Sequence, residues 1–427
     1  MKRLLSLFCL FVLTLPLLLF TGCGEKTETV TLNVFNWGQY ISDGSYELPD
    51  TNAMFEEYFN EFLAEEYGYK IKVNYSTYAS NEDMYNKLAS GSASYDVIVP
   101  SEYMIERMIS ENMLTPLDKT LLPNLSNIDE KFLSEYGTYD VGGVYSVPYT
   151  FSMVGIIYNS AYVDEEDVGS WDLLWNEKYA GKILQFNNPR DALGTALYRL
   201  GYSVNTTDHA KWTEAQQLLI AQKPLVQAYV MDEIFNKMGS ASSYIAPYYS
   251  GDYFTMLDTN EDLLFYYPEE GTNIFVDAMC IPTCAKNVEA AHAYIDFMLT
   301  RDPAVANALY TYYGSPNKVV REDPEYIEEM GEEAMDILYG NDVFVSNFED
   351  LKDVETDKLK TSFYTAISNT EENGNLLSYT NELWSNFKSY NSIEPWIIVA
   401  DAVIVSALLF AVIFFFVRKK HREKYYD

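Results

Sequence analysis

Apolar residues in this chain fall into short blocks whose spacing switches between the period of a strand and that of a helix. Val30-Thr31-Leu32-Asn33-Val34-Phe35 alternates as a half-buried strand does, then meets Asn36-Trp37-Gly38-Gln39-Tyr40, where a glycine interrupts a run of aromatics. A polar insert, Ser42 to Asn52, precedes a helix whose predicted apolar face is Phe55, Phe59 and Phe62. Tyr69 to Tyr75 reads as the next strand, and Ser80, with Asp83 three residues on, caps a helix carrying Met84, Tyr85 and Leu88. Tyr95-Asp96-Val97-Ile98-Val99-Pro100 is nearly continuous in apolar character, as strands of a buried parallel sheet are. The pattern repeats with strands at Tyr145–Tyr158, Gly181–Phe186 and Ile274–Ile281. Helices are expected at Ala192–Leu200, from Val288 after an Asn287 cap with Ala291, Ile295, Met298 and Leu299 on one face, and from Asp302-Pro303. Strands alternating with helices predict an α/β protein, and 427 residues suit two lobes.

The two ends carry different information. Met1-Lys2-Arg3, the apolar stretch Leu4 to Phe20, and small residues before Cys23 read as an export signal over residues 1–23. Leu19-Phe20-Thr21-Gly22-Cys23 is similar to a bacterial lipobox, which makes Cys23 the expected lipidated residue; an uncleaved anchor is the alternative. Trp396 to Val417 is an apolar run of 22 residues, long enough for a hydrocarbon core of about 30 Å. Arg418, Lys419, Lys420, Arg422 and Lys424 follow it, so the tail 418–427 is expected in the cytoplasm and the body outside.

Charge and special residues then narrow the function. Sixty-three acidic against 29 basic residues give a net charge of -34, which disfavours a nucleic-acid partner and suits a cationic one. Cys280 and Cys284, separated by Ile281-Pro282-Thr283, are expected as free thiols. The histidines, His209, His292 and His421, form no metal pattern, and no nucleophile elbow, P-loop or dinucleotide fingerprint is present. Neither an enzyme, a cofactor nor a metal site is expected.

Several segments together carry a family resemblance: Phe35-Asn36-Trp37 with Tyr40, Tyr75 to Glu82, Tyr95 to Tyr103, Tyr145 to Tyr149, Ser170-Trp171-Asp172-Leu173-Leu174-Trp175, Leu200 to Ser203, and Ile281-Pro282 with Ala285-Lys286-Asn287. They resemble the bacterial spermidine/putrescine-binding proteins of polyamine ABC importers. The resemblance implies a bilobed periplasmic-binding-protein-like fold, one lobe of residues 28–148 and 278–322, the other of 149–277 and 323–390. It also implies a polyamine ligand and permease and ATPase partners at the cell membrane. A membrane-anchored receptor or sensor of the same fold is the alternative. The family's ligand residues correspond to Trp37, Tyr40, Ser101, Tyr103, Asn188, Asp191, Asp252, Asp277 and Tyr313. Tyr249 and Phe275 stand where the family has tryptophans, Asn188 replaces a carboxylate, and Glu349 lies near a family glutamine. Asp277 is distinctive by itself, because it interrupts an apolar strand where only a paired or ligand-facing carboxylate is tolerable.

If both ends hold the body at the membrane, a chain truncated before Trp396 stays membrane-bound through lipid on Cys23. Replacing Cys23 in that truncated chain then releases it to the medium. Retention in a fractionation assay would exclude the lipid anchor.

Overall fold

The computed structural model describes residues 28–134, 139–340 and 376–390. The strands are β1 (Glu28–Trp37), β2 (Tyr69–Tyr78), β3 (Val97–Ile98), β4 (Ser146–Asn159), β5 (Ile183–Phe186), β6 (Val226–Val230), β7 (Ile245–Tyr249), β8 (Leu263–Tyr266) and β9 (Ile274–Cys280). They form one hydrogen-bonded path in the order β2-β1-β3-β9-β4-β7-β5-β6, with β8 paired to β4. At one end β1 lies parallel to β2 and β3, and at the other β5 lies parallel to β6 and β7. Between them, β9 and β4 run antiparallel and connect the two parallel groups.

β4 is the strand that joins the halves. Ser146 to Met153 pairs with β9, whereas Val154 to Tyr158 pairs with β7. Twelve of its 14 residues are buried, among them Val147, Phe151, Met153, Val154, Ile156 and Ile157. Burial on both faces explains why the sequence reads as one apolar block without alternation.

Most expected elements are present, with local differences. Ser80 caps its helix by accepting from Asp83 N, and the segment around Val97 is buried throughout. Phe55 and Phe59 are buried, but Phe62 is 64% exposed. The helix Thr51–Tyr58 passes into a π turn at Phe59–Leu63. The wider turn shifts the later side chains away from the face that a 3.6-residue period assigns them. The helix expected to open at Asp302-Pro303 is Arg301–Thr311 with Thr300 at its N-cap, so Asp302 and Pro303 occupy its first turn. β6, β7 and β8 are additions to the sequence reading. Cys280 and Cys284 are both free, the first buried and the second exposed.

His292 is a satisfied core residue. Its Nε2 accepts from Asp118 N at 2.9 Å and its Nδ1 donates to Val288 O at 2.7 Å. The export signal with Cys23, Glu349, the segment 396–417 and the basic tail lie outside the described residues. Among the described residues, no helix is long and apolar enough to cross a membrane.

Candidate functional site

The chain brings its aromatic and acidic candidates to a single cleft of about 1090 Å³. β1 delivers Trp37 at its C-terminal end, and the turn after it, with Gln39 in the left-handed region at φ 53°, presents Tyr40. Trp37 is fixed by donating its Nε1 hydrogen to Val99 O at 2.9 Å, and its ring packs on Tyr78 with centroids 4.7 Å apart. Ser101 and Tyr103 come from the start of the helix Glu102–Ser110, immediately after β3. Asn188 and Asp191 begin the helix Pro189–Arg199; Tyr249 ends β7, and Asp252 lies in the first turn of the helix Ser250–Leu257. Phe275 and Asp277 project from β9, and Tyr313 follows the helix Arg301–Thr311. All of these residues line the cleft.

Four aromatics form a continuous wall. Tyr40 meets Tyr313 edge-on with centroids 5.1 Å apart, Tyr313 meets Phe275 at 6.2 Å, and Phe275 meets Tyr249 at 5.2 Å. Tyr40, Phe275 and Tyr313 make a small buried cluster apart from the main core. Two glycines permit this closeness. A Cβ on Gly251 would sit 2.3 Å from the Tyr313 ring, and one on Gly314 would sit 2.4 Å from the Phe151 ring. Tyr312, at φ 57°, turns the chain out of its helix just before Tyr313.

Carboxyl groups are set into this apolar surround. Asp277 is 3% exposed, and its Oδ2 accepts from the Tyr40 hydroxyl at 2.5 Å. Burial and the adjacent Asp277 push the Tyr40 phenol far up, so it remains a donor. Oδ1 of Asp277 is buried and has no hydrogen-bond partner of ordinary geometry among the described residues. Loss of hydration raises the Asp277 pKa to about 6, although the Ser101 and Tyr40 hydroxyls pull it back. Asp252 accepts from the Tyr313 hydroxyl at 2.9 Å through Oδ2. Its side chain meets solvent at the cleft edge yet is otherwise enclosed, and desolvation raises its pKa to about 7, opposed by the Tyr313 hydrogen bond. An anion in either position lacks a compensating positive charge nearby, and a bound cation would supply one.

Asp191 sits in a different setting. Its Oδ2 accepts from both the Tyr249 hydroxyl and Asn188 Nδ2, each at 2.6 Å. Asn188 is the N-cap, accepting from Asp191 N at 2.8 Å, so its amide is used on the helix end as well as lining the cleft. Tyr103 accepts from Asn81 Nδ2 and donates to Glu82, both at 3.1 Å. Ser101 Oγ accepts from Asn81 at 3.0 Å. Two further cleft residues lie beside the candidates expected from sequence. Arg190 places its guanidinium 4.4 Å from the centroid of the Tyr103 ring, and Glu102 is fully buried beside Ser101. Adjacency in Ser101-Glu102-Tyr103 and Asn188-Pro189-Arg190-Asp191 was the available signal.

Comparison with known proteins adds a second line of observation. Residues 57–331 match the family described as bacterial extracellular solute-binding protein. The chain is 33% identical over 301 residues to the spermidine/putrescine-binding periplasmic protein of Escherichia coli, covering 70% of this chain and 81% of that protein. It is 31% identical over 313 residues to the putrescine/cadaverine-binding protein of Pseudomonas aeruginosa, covering 70% and 83%. A solved structure of a putative spermidine/putrescine ABC transporter protein from Listeria monocytogenes is similar with a TM-score of 0.68 and 33% identity, covering 84% of this chain and 99% of that one.

The raised carboxyl pKa values carry a cost in stability. Because Asp252 in the folded protein holds its proton up to about pH 7, against 3.8 ordinarily, ionising it destabilises the fold progressively across that interval. Asp252→Asn is therefore expected to match the parent near pH 4 and to exceed it at pH 8 by about 1–3 kcal/mol in the absence of ligand, with partial solvent contact reducing the full linkage value. Thermal unfolding at the two pH values checks this; a stability difference that does not change with pH would contradict it.

Proposed function

Because the chain belongs to the bacterial extracellular solute-binding protein family, we propose that it is the external solute-binding subunit of an ABC importer and that it captures a linear polyamine such as putrescine or spermidine. The observation that carries this reading is Asp277: a carboxylate buried in an aromatic cleft, with one oxygen bound by Tyr40 and the other without a hydrogen bond of ordinary geometry among the described residues. An ammonium needs acceptors and a negative charge when it leaves water, and the methylenes between two ammoniums need apolar contact. The wall from Tyr40 through Tyr313 and Phe275 to Tyr249 offers that contact, and Trp37 and Tyr103 offer further ring faces. A desolvated cation over such a face gains about 2 kcal/mol.

The length of the ligand follows from the charges. Of the three aspartates in the cleft, Asp277 and Asp252 have the least compensation, whereas Asp191 is already held by Tyr249 and Asn188. Asn188 adds no charge at that end. A diamine, neutralising two carboxylates, therefore fits this arrangement better than a triamine. In this reading the lobes divide near the places where β4 and β9 pass between the two parallel groups, and ligand contacts from both sides favour closure. The lipid on Cys23 and the segment 396–417, inferred from sequence, hold the body near its membrane partners.

Removing the charge of Asp277 leaves a cation without its desolvated partner, a loss of about 2–5 kcal/mol. Asp277→Asn is thus expected to weaken putrescine and spermidine binding at least about thirtyfold without unfolding the protein. Trp37→Ala is expected to weaken both through lost ring contact. Calorimetric titration of the purified external part checks both variants. If Asp277→Asn binds these amines as tightly as the parent, Asp277 is not the charge partner of the ligand.

A further inference from the structure

The strand that carries Asp277 is joined to the start of the helix Glu102–Ser110 by a short antiparallel contact. Ser101 and Asp277 form a bridge, Ala278 N donates to Pro100 O at 3.0 Å, and Val276 N donates to Glu102 Oε2 at 3.1 Å. This register sets a second carboxyl beside that of Asp277. Glu102 has 0% exposure, and its Oε1, like Asp277 Oδ1, is buried without a hydrogen bond of ordinary geometry among the described residues. Both residues belong to the cleft wall. A buried glutamate with a half-satisfied carboxyl is costly, and a leucine or glutamine would serve the packing with less penalty. Two unpartnered oxygens from adjacent elements are what a cation subsite supplies.

We propose that Glu102 is a second carboxyl of the cation subsite centred on Asp277, adding its charge to the hold on a bound ammonium. The inference rests on the polyamine reading above. In the free protein, burial and the Asp277 charge raise the Glu102 pKa to about 8, so near neutral pH it carries a proton. The Val276 amide and the Arg190 guanidinium act in the opposite direction, and the buried Tyr139 phenol lies within electrostatic reach. Arrival of an ammonium favours the ionised form, and the proton leaves to solvent. Capture of the amine is then coupled to proton release, and affinity rises with pH up to about 8.

Glu102→Gln separates this from a packing role, since an amide keeps an acceptor for Val276 N and removes only the titrating charge. Putrescine titrations at pH 7 in buffers of different ionisation enthalpy count released protons. The variant is expected to release about one proton fewer than the parent, and to bind about tenfold or more weakly at pH 8.5 while approaching the parent near pH 6. An unchanged proton count with unchanged affinity overturns the inference, as does an equal loss of affinity at both pH values, which would mark Glu102 as a prop for β9. If the variant does not fold, infrared difference spectra of Asp252→Asn protein at saturating putrescine replace it. Loss of a protonated-carboxyl band supports the pair and its persistence refutes it. Should the parent protein bind no linear amine at millimolar concentration, the polyamine reading falls first; parent binding with a silent Glu102→Gln removes only the present inference.

Discussion

The cost of holding carboxylates out of water organises this cleft. Asp277 lies on β9, a strand buried along its whole length, and the aromatic cluster beside it brings no positive charge among the described residues. Tyr40 stabilises one oxygen by donation, and Tyr313 does the same for Asp252. Those neutral hydroxyls leave both groups with raised pKa values, so the free protein keeps an electrostatic demand that a ligand of opposite charge removes. The aromatic rings serve the same demand. They exclude water, which strengthens each interaction inside the cleft, and their faces attract cations.

The scaffold brings distant segments to that point by backbone pairing. β9 pairs with β3 on one side and with β4 on the other, so its residues lie between two groups of parallel strands. The bridge from Ser101 to Asp277 then fixes the position of the helix that follows β3. Gly251 and Gly314 allow Tyr313 and Phe151 to approach backbone that any Cβ would hold away. Function and fold meet in the same few contacts, which is why the cleft contains buried polar groups that a core optimised for stability would omit.

Much of this was readable in the sequence. Asp277 was conspicuous because a carboxylate in an apolar strand has few tolerable environments, and the motif around Trp37 and Tyr103 located two parts of the cleft wall. Periodicity identified the strands buried on both faces and the helices with strong caps, as at Ser80. It failed at Phe62, where a π turn changes the number of residues per turn, and at Asp302, where a preceding threonine starts the helix earlier. Glu102 was not readable for another reason. A glutamate at the first position of a helix normally faces water and complements the helix dipole, and only the pairing of this helix start with β9 buries it. Arg190 was equally ordinary in sequence until the tertiary fold set it over Tyr103.

On the polyamine proposal, the cleft is selective for separated positive charges on an apolar chain. Calorimetry of the purified external part with putrescine, spermidine, a monoamine of similar length and the matching neutral diol tests it most directly at pH 8. The account predicts saturable one-to-one binding of the diamine, at least as tight as that of spermidine, weak binding of the monoamine and none of the diol. Binding of the diol at comparable affinity, or no heat from any linear amine at millimolar concentration, would contradict it.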